Sequence, residues 1–129
     1  MTRRLACTTL LVDDYDRAIA WYTRVLRFEL LQDTVLSADK RWVVVAPSHE
    51  GGQLLLARAS NAQQQALIGG QGGGRVWLFL HTDALDDELA QLRAHGVHIV
   101  DGPRSEAYGR VLVFEDLYGN RWDLIEPTP

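Results

Sequence analysis

The chain of 129 residues has one cysteine, one methionine and four prolines, and no long apolar run. A single thiol cannot close an internal disulfide, so nothing in the chain is adapted to an oxidising compartment and a cytoplasmic location is expected. The longest early apolar run, Leu5 to Val12, is interrupted by Thr8 and Thr9 and ends at Asp13 and Asp14. It is too short to cross a bilayer, and the small-residue cleavage pattern of a secretion signal is missing after Arg3 and Arg4, so neither membrane nor export is expected. Excess charge of one sign is also missing: 13 basic and 17 acidic side chains leave −4, with the signs interspersed. Without a dense cationic field to release counterions from phosphate, nucleic acid is not an expected partner. What is present is an ordinary globular composition, 47% hydrophobic and 23% charged. The length fits one domain by the usual scale of roughly 100 to 200 residues.

The apolar pattern divides the chain into short elements. Leu5 to Val12 reads as a buried strand meeting a helix start at two aspartates. From Tyr15 the positions Ala18, Ile19, Tyr22, Val25 and Leu26 recur at helical spacing, with Asp14 placed to cap the first turn. Phe28 to Leu36, Arg41 to Ala46 and Gln53 to Ala57 read as strands, the last two parted by a turn at Gly51 and Gly52. Asn61 to Ile68 suits a short helix, and the glycine-rich run from Gly69 to Gly74 that follows is the one linker candidate. Val76 to Thr82 is the next strand. Asp83 then opens a helix with Leu85, Leu89 and Leu92 on one stripe and Gly96 as its stop. Val97 to Val100, Arg110 to Phe114 and Arg121 to Glu126 complete the set, with a tight turn at Tyr118, Gly119 and Asn120.

The order of elements repeats. Val12-Asp13 and Thr82-Asp83 lie 70 positions apart, while Val43 and Val111, and Gly51 and Gly119, lie 68 apart. Two βαβββ modules are implied, spanning 5–58 and 75–127 in an α+β fold. A module of about sixty residues buries its sheet and helix faces poorly alone, so a pseudo-twofold pair of modules enclosing a cleft within one domain, 1–129, is expected.

The opening stretch Leu11-Val12-Asp13 through Ala18-Ile19-Ala20-Trp21-Tyr22 and the closing hairpin Phe114-Glu115-Asp116-Leu117-Tyr118-Gly119-Asn120-Arg121-Trp122-Asp123-Leu124 resemble the vicinal oxygen chelate superfamily. That superfamily holds glyoxalase I, extradiol dioxygenases, and the fosfomycin- and bleomycin-resistance proteins. The hairpin is similar to the family's Asp-Pro-Asp-Gly-Asn turn, with Leu117-Tyr118 in its middle. Arg27 stands where the family usually has glycine after the first helix, which costs about 1 kcal/mol if that backbone is left-handed.

The resemblance implies a metal site at four positions related by the internal repeat, here Cys7, Leu55, Trp77 and Asp123. Leucine and tryptophan offer no suitable lone pair, and one thiolate with one carboxylate falls short of the three or four ligands such an ion needs. No metal and no cofactor are therefore expected. His81 shares a strand face with Trp77 but stands about 13 Å along it, too far to replace a lost ligand. His49, His95 and His98 read as surface or helix-end residues.

Alternation places Trp77, Phe79 and His81 on one strand face, which should line the cleft with Cys7, Thr9, Leu55, Arg121 and Asp123. The alternative is that Trp77 and Phe79 simply fill the space of the lost ion. Asp123 is the best catalytic candidate, since a carboxyl between apolar walls resists ionisation unless a cation such as Arg121 pairs with it. No second acid or nucleophile is placed by spacing to complete a mechanism. Cys7 reads as a small buried group or a reactive thiol. Tyr108 and Arg110, with Arg75 after the glycine run, read as a polar rim, and the glycine run as a flexible lid.

These residues lead to a metal-independent protein that binds an apolar or amphipathic small molecule in an aromatic cleft, as bleomycin-resistance relatives do, and that pairs as a homodimer. The alternative is a metal-dependent lyase, isomerase or dioxygenase of glyoxalase type, such as a lactoylglutathione lyase.

Overall fold

A computed structural model describes all residues, 1–129. The chain forms two compact units, Met1–Ile68 and Gly69–Pro129.

In the first unit, β1 (Thr8–Val12) leads into α1 (Tyr15–Arg24), then β2 (Glu29–Val35), β3 (Arg41–Ala46), β4 (Leu54–Arg58) and the short α2 (Ala62–Leu67). The sheet order is β1-β4-β3-β2, with β1 parallel to β4 and the other pairs antiparallel. Asp14 caps α1 as its position implies, its carboxylate accepting from the Arg17 amide at 2.8 Å. The helix lays Tyr15, Ala18 and Tyr22 inward, and the sheet answers with Leu10, Val12, Val43, Val45, Leu54 and Leu56, all buried. Asn61 caps α2 by accepting from the Gln64 amide at 2.8 Å.

The second unit repeats the plan with β5 (Val76–His81), α3 (Leu85–Ala94), β6 (Ile99–Glu106), β7 (Gly109–Glu115) and β8 (Arg121–Pro127), ordered β5-β8-β7-β6. α3 buries Leu85, Leu89 and Leu92, and the fully covered Leu112, Phe114 and Leu124 complete the core of the sheet. The helix starts one residue later than its aspartate suggests. Ala84 is the cap and offers no side-chain acceptor. Glu126, from β8, accepts from the Leu85 amide at 3.2 Å instead, bringing a negative charge to the helix N-terminus from across the fold. β6 is also longer than Val97 to Val100 and runs through Pro103. Proline is tolerated because β6 is an edge strand, with no ladder partner on its outer side.

The glycine run is folded back in successive turns, Gly70 accepting from the Gly73 amide at 3.0 Å and Gly72 from the Arg75 amide at 3.1 Å. A Cβ on Gly69, where φ is +77°, would stand 2.0 Å from the Tyr118 carbonyl oxygen. This packing against the β7–β8 turn, and not slackness, is what demands glycine there. No helix of the chain is long and apolar enough to cross a membrane.

Candidate functional site

In the first sheet, the strand faces turned away from α1 carry Thr9 on β1, Leu55 and Ala57 on β4, and Trp42 and Val44 on β3. The register sets Thr9 beside Leu55 and Val44 opposite Leu55. Trp42 is 38% exposed although it lies inside a strand whose next four residues are buried. Trp42, Leu55 and Ala57, together with Tyr15, line a cavity of about 440 Å³, with Ser60 and Gln64 at the start of α2. That volume lies within the range of small-molecule sites.

Charge surrounds this apolar wall. Asp39, Lys40, Arg41 and Arg58 line the same cavity. Arg41 is committed to the protein: it donates to Asp33 at 2.7 Å and Asp16 at 2.9 Å, and its guanidinium stands over the Tyr15 ring, 5.2 Å from the centroid. The Arg41 guanidinium holds the Asp33 carboxyl below the usual carboxylate range. Lys40 and Arg58 have no side-chain hydrogen bond or ion pair of this kind. A smaller hollow of about 250 Å³ adjoins, sharing Tyr15, Asp39, Lys40, Arg41 and Arg58 and adding Asp14 and Asp16.

In the second sheet, strict alternation along β5 fails. The register slips between Val76 and Leu78, and the Trp77 ring meets Trp122 edge-on, with centroids 6.2 Å apart. Trp122 in turn stacks on Phe114 at 6.0 Å. Trp77 therefore joins an aromatic cluster with buried core residues, correcting its assignment to one open face with Phe79 and His81. Phe79 is opposite Asp123 and is 63% exposed, far from the filled position that core packing would give it. His81 is exposed at the end of the same strand.

Burial pushes the Asp123 carboxyl above the usual carboxylate range, Arg104 pulls it back, and the nearby Asp101 adds to the rise. The expected partner, Arg121, is not the one that acts. Its Nε lies 3.9 Å from Glu115, whereas the counter-charge comes from β6, where Arg104 also donates to Asp101 and to Glu106 at 2.9 Å. Of the anticipated rim, Tyr108 is half exposed, but Arg110 turns back to Asp86 at 3.0 Å. Cys7 precedes β1, half-buried and unbridged.

The four positions at which the resemblance implies a metal carry a thiol, an isobutyl group, an indole and a carboxyl, and nowhere do three or more His, Cys, Asp or Glu side chains come together as a metal-holding group. The donor set does not fit a divalent ion. His49 and His98 instead face carboxylates, Glu29 at 2.9 Å and Glu115 at 2.7 Å, and His95 meets Gln91 at 2.8 Å at the end of α3.

The sequence reading missed Trp42, Lys40 and Arg58. A signal existed for the first, an indole alternating with Val43 and Val45, and for Arg58, a charge closing the apolar run from Leu54 to Ala57.

The chain belongs to the Glyoxalase/Bleomycin resistance protein/Dioxygenase superfamily, whose family model matches residues 4–124. An uncharacterized protein of Shewanella frigidimarina (strain NCIMB 400) is 47% identical over 128 residues, covering 98% of this chain and 95% of that protein. Among solved structures, TnmS3, an antibiotic binding protein from Streptomyces sp. CB03234, is 28% identical with a TM-score of 0.80 over 98% of both chains. A glyoxalase/bleomycin resistance protein from the same Streptomyces is 30% identical with a TM-score of 0.74, covering 94% of this chain and 98% of that one.

Proposed function

We propose that this protein binds a small apolar or amphipathic organic molecule without a metal ion, acting by sequestration and not by glyoxalase-type catalysis. The observation that carries this reading is the cavity of about 440 Å³ walled by Trp42, Leu55 and Ala57. An indole left accessible inside a strand, beside an apolar hollow, is the makeup of a ligand site. Thr9 beside Leu55, and Phe79 opposite Asp123 on the other sheet, are further ligand-facing candidates from the same reading. The likeness to an antibiotic binding protein supports the ligand class, and the unsuitable donor set at positions 7, 55, 77 and 123 supports metal independence. Asp123 alone gives no mechanism, because acid–base catalysis needs a partner group within hydrogen-bond reach of the reacting atoms.

A melting screen with bleomycin and a panel of polycyclic aromatic antibiotics, in the presence of EDTA, tests this. A ligand at a hundred times its Kd stabilises the fold by about 2.7 kcal/mol, a rise in Tm on the order of 10 °C for a domain of this size. A shift with one or more of these compounds, lost in Trp42→Ala, is the expected result. No shift with any of them, together with glyoxalase or dioxygenase turnover on adding a divalent metal, would overturn it.

A further inference from the structure

We propose that the cavity over β3 and β4 selects aromatic acids: a planar ring system lies against Trp42, Leu55 and Ala57 while Lys40 and Arg58 hold its carboxylate or sulfonate. This rests on the binding reading above and names the ligand class of that site. The wall residues supply the apolar part. The charge census supplies the rest. Three cations and one carboxylate, Asp39, line the cavity in a chain whose net charge is −4, so the positive bias is local and runs against the molecule as a whole.

Arg41 does not create that bias, since Asp16 and Asp33 both grip it and hold it over Tyr15. Its role is to shape the wall. Lys40 and Arg58, neither engaged by a carboxylate of the protein, remain to meet a ligand anion. They come from different elements, Lys40 from the β2–β3 turn and Arg58 from the last position of β4, so the two flank the hollow without belonging to one charged run. A neutral aromatic would leave both cations with water alone. A cationic one would meet repulsion from two sites and, within the cavity lining, attraction from Asp39 alone. An acid gains charge-assisted hydrogen bonds beside a partly desolvated wall, where they are stronger than in water.

The test is calorimetric titration of the whole chain with three probes sharing one ring system: 2-naphthoate, 2-naphthamide and 2-naphthylmethylammonium. The carboxylate is expected to bind about tenfold or more tighter than the amide, a modest value for one charged hydrogen bond. The ammonium should bind weakest, and added salt should narrow the gap. Lys40→Gln with Arg58→Gln should bring the carboxylate down toward the amide, the carboxylate losing about tenfold or more and the amide far less; both side chains are exposed, so the fold should survive. Trp42→Ala should weaken carboxylate and amide alike. Equal affinity of carboxylate and amide, with both lost in Trp42→Ala, would overturn acid selection while leaving small-molecule binding intact. A tighter ammonium, or a carboxylate preference that survives the double variant, would also overturn it.

Discussion

Asp123 and Arg27 show how far a single side chain can depart from its usual environment. Because burial raises the Asp123 carboxyl above its unfolded value, the folded state binds that proton more tightly than the unfolded chain does. Its contribution is therefore favourable below the unfolded pKa and is lost as pH rises through the folded pKa. Asp123→Asn is expected to be more stable than the wild type at neutral pH, with the difference closing as pH falls through the carboxylate range; urea midpoints at a series of pH values measure it. An unchanged gap across that range would show that Asp123 titrates like a surface carboxyl. Arg27 has φ +57°, the left-handed conformation that the resemblance to glycine-bearing relatives made a concern. The equivalent stop after α3 is Gly96, at φ +69°. Arg27→Gly should stabilise by about 0.5–1 kcal/mol, the relief of left-handed strain less the added flexibility of the unfolded chain. Denaturant unfolding with an unchanged slope checks it. The strain was readable from sequence only because a helix stop lacked its glycine. The charge acting on Asp123 was not, since the electrostatic pull on it comes from Arg104 on β6 while Arg121, on its own strand, lies beside Glu115.

Among the elements, the β7–β8 turn and the glycine run against it carry the most specific packing. Asp116, almost fully buried, accepts from the Tyr118 amide, the Asn120 amide and the Asn120 side-chain amide at 2.9, 2.9 and 3.0 Å. Asp116→Ala leaves those donors without their acceptor and is expected to cost about 2–3 kcal/mol, read as a fall in denaturant midpoint. Gly51 and Gly69 both have positive φ, but a Cβ on Gly51 meets nothing while one on Gly69 meets the Tyr118 carbonyl. Gly51→Ala should therefore cost about 1 kcal/mol from backbone strain alone, and Gly69→Ala clearly more. Equal costs would mean that the close approach is relaxed in solution. α1 was legible because its burial is one-sided and begins at its capped aspartate, and β3 because burial on both faces leaves an unbroken apolar run over the residues it spans. The errors have local physical causes. β6 passes through Pro103 because it is an edge strand, α3 borrows its cap from Glu126, and the slip between Val76 and Leu78 turns Trp77 toward Trp122. None of these leaves a mark in a period-two pattern.

For the molecule as a whole, the repeat seen in the sequence reappears as two sheets with the same strand order, β1-β4-β3-β2 and β5-β8-β7-β6, and membership of the superfamily follows from residues 4–124. The candidate site was legible in part. Leu55 was named from the family resemblance and Thr9 from strand alternation, and both lie on the face that bears Trp42. Trp42, Lys40 and Arg58 were not, because their meeting depends on the β2–β3 turn and the end of β4 coming together in space. Metal-free ligand binding can be measured by equilibrium dialysis of one aromatic ligand before and after exhaustive metal stripping, with elemental analysis of both samples. The same affinity and one ligand per chain are expected in both, with divalent metal far below stoichiometric. Binding that vanishes on stripping and returns with one equivalent of zinc, manganese or nickel would contradict it.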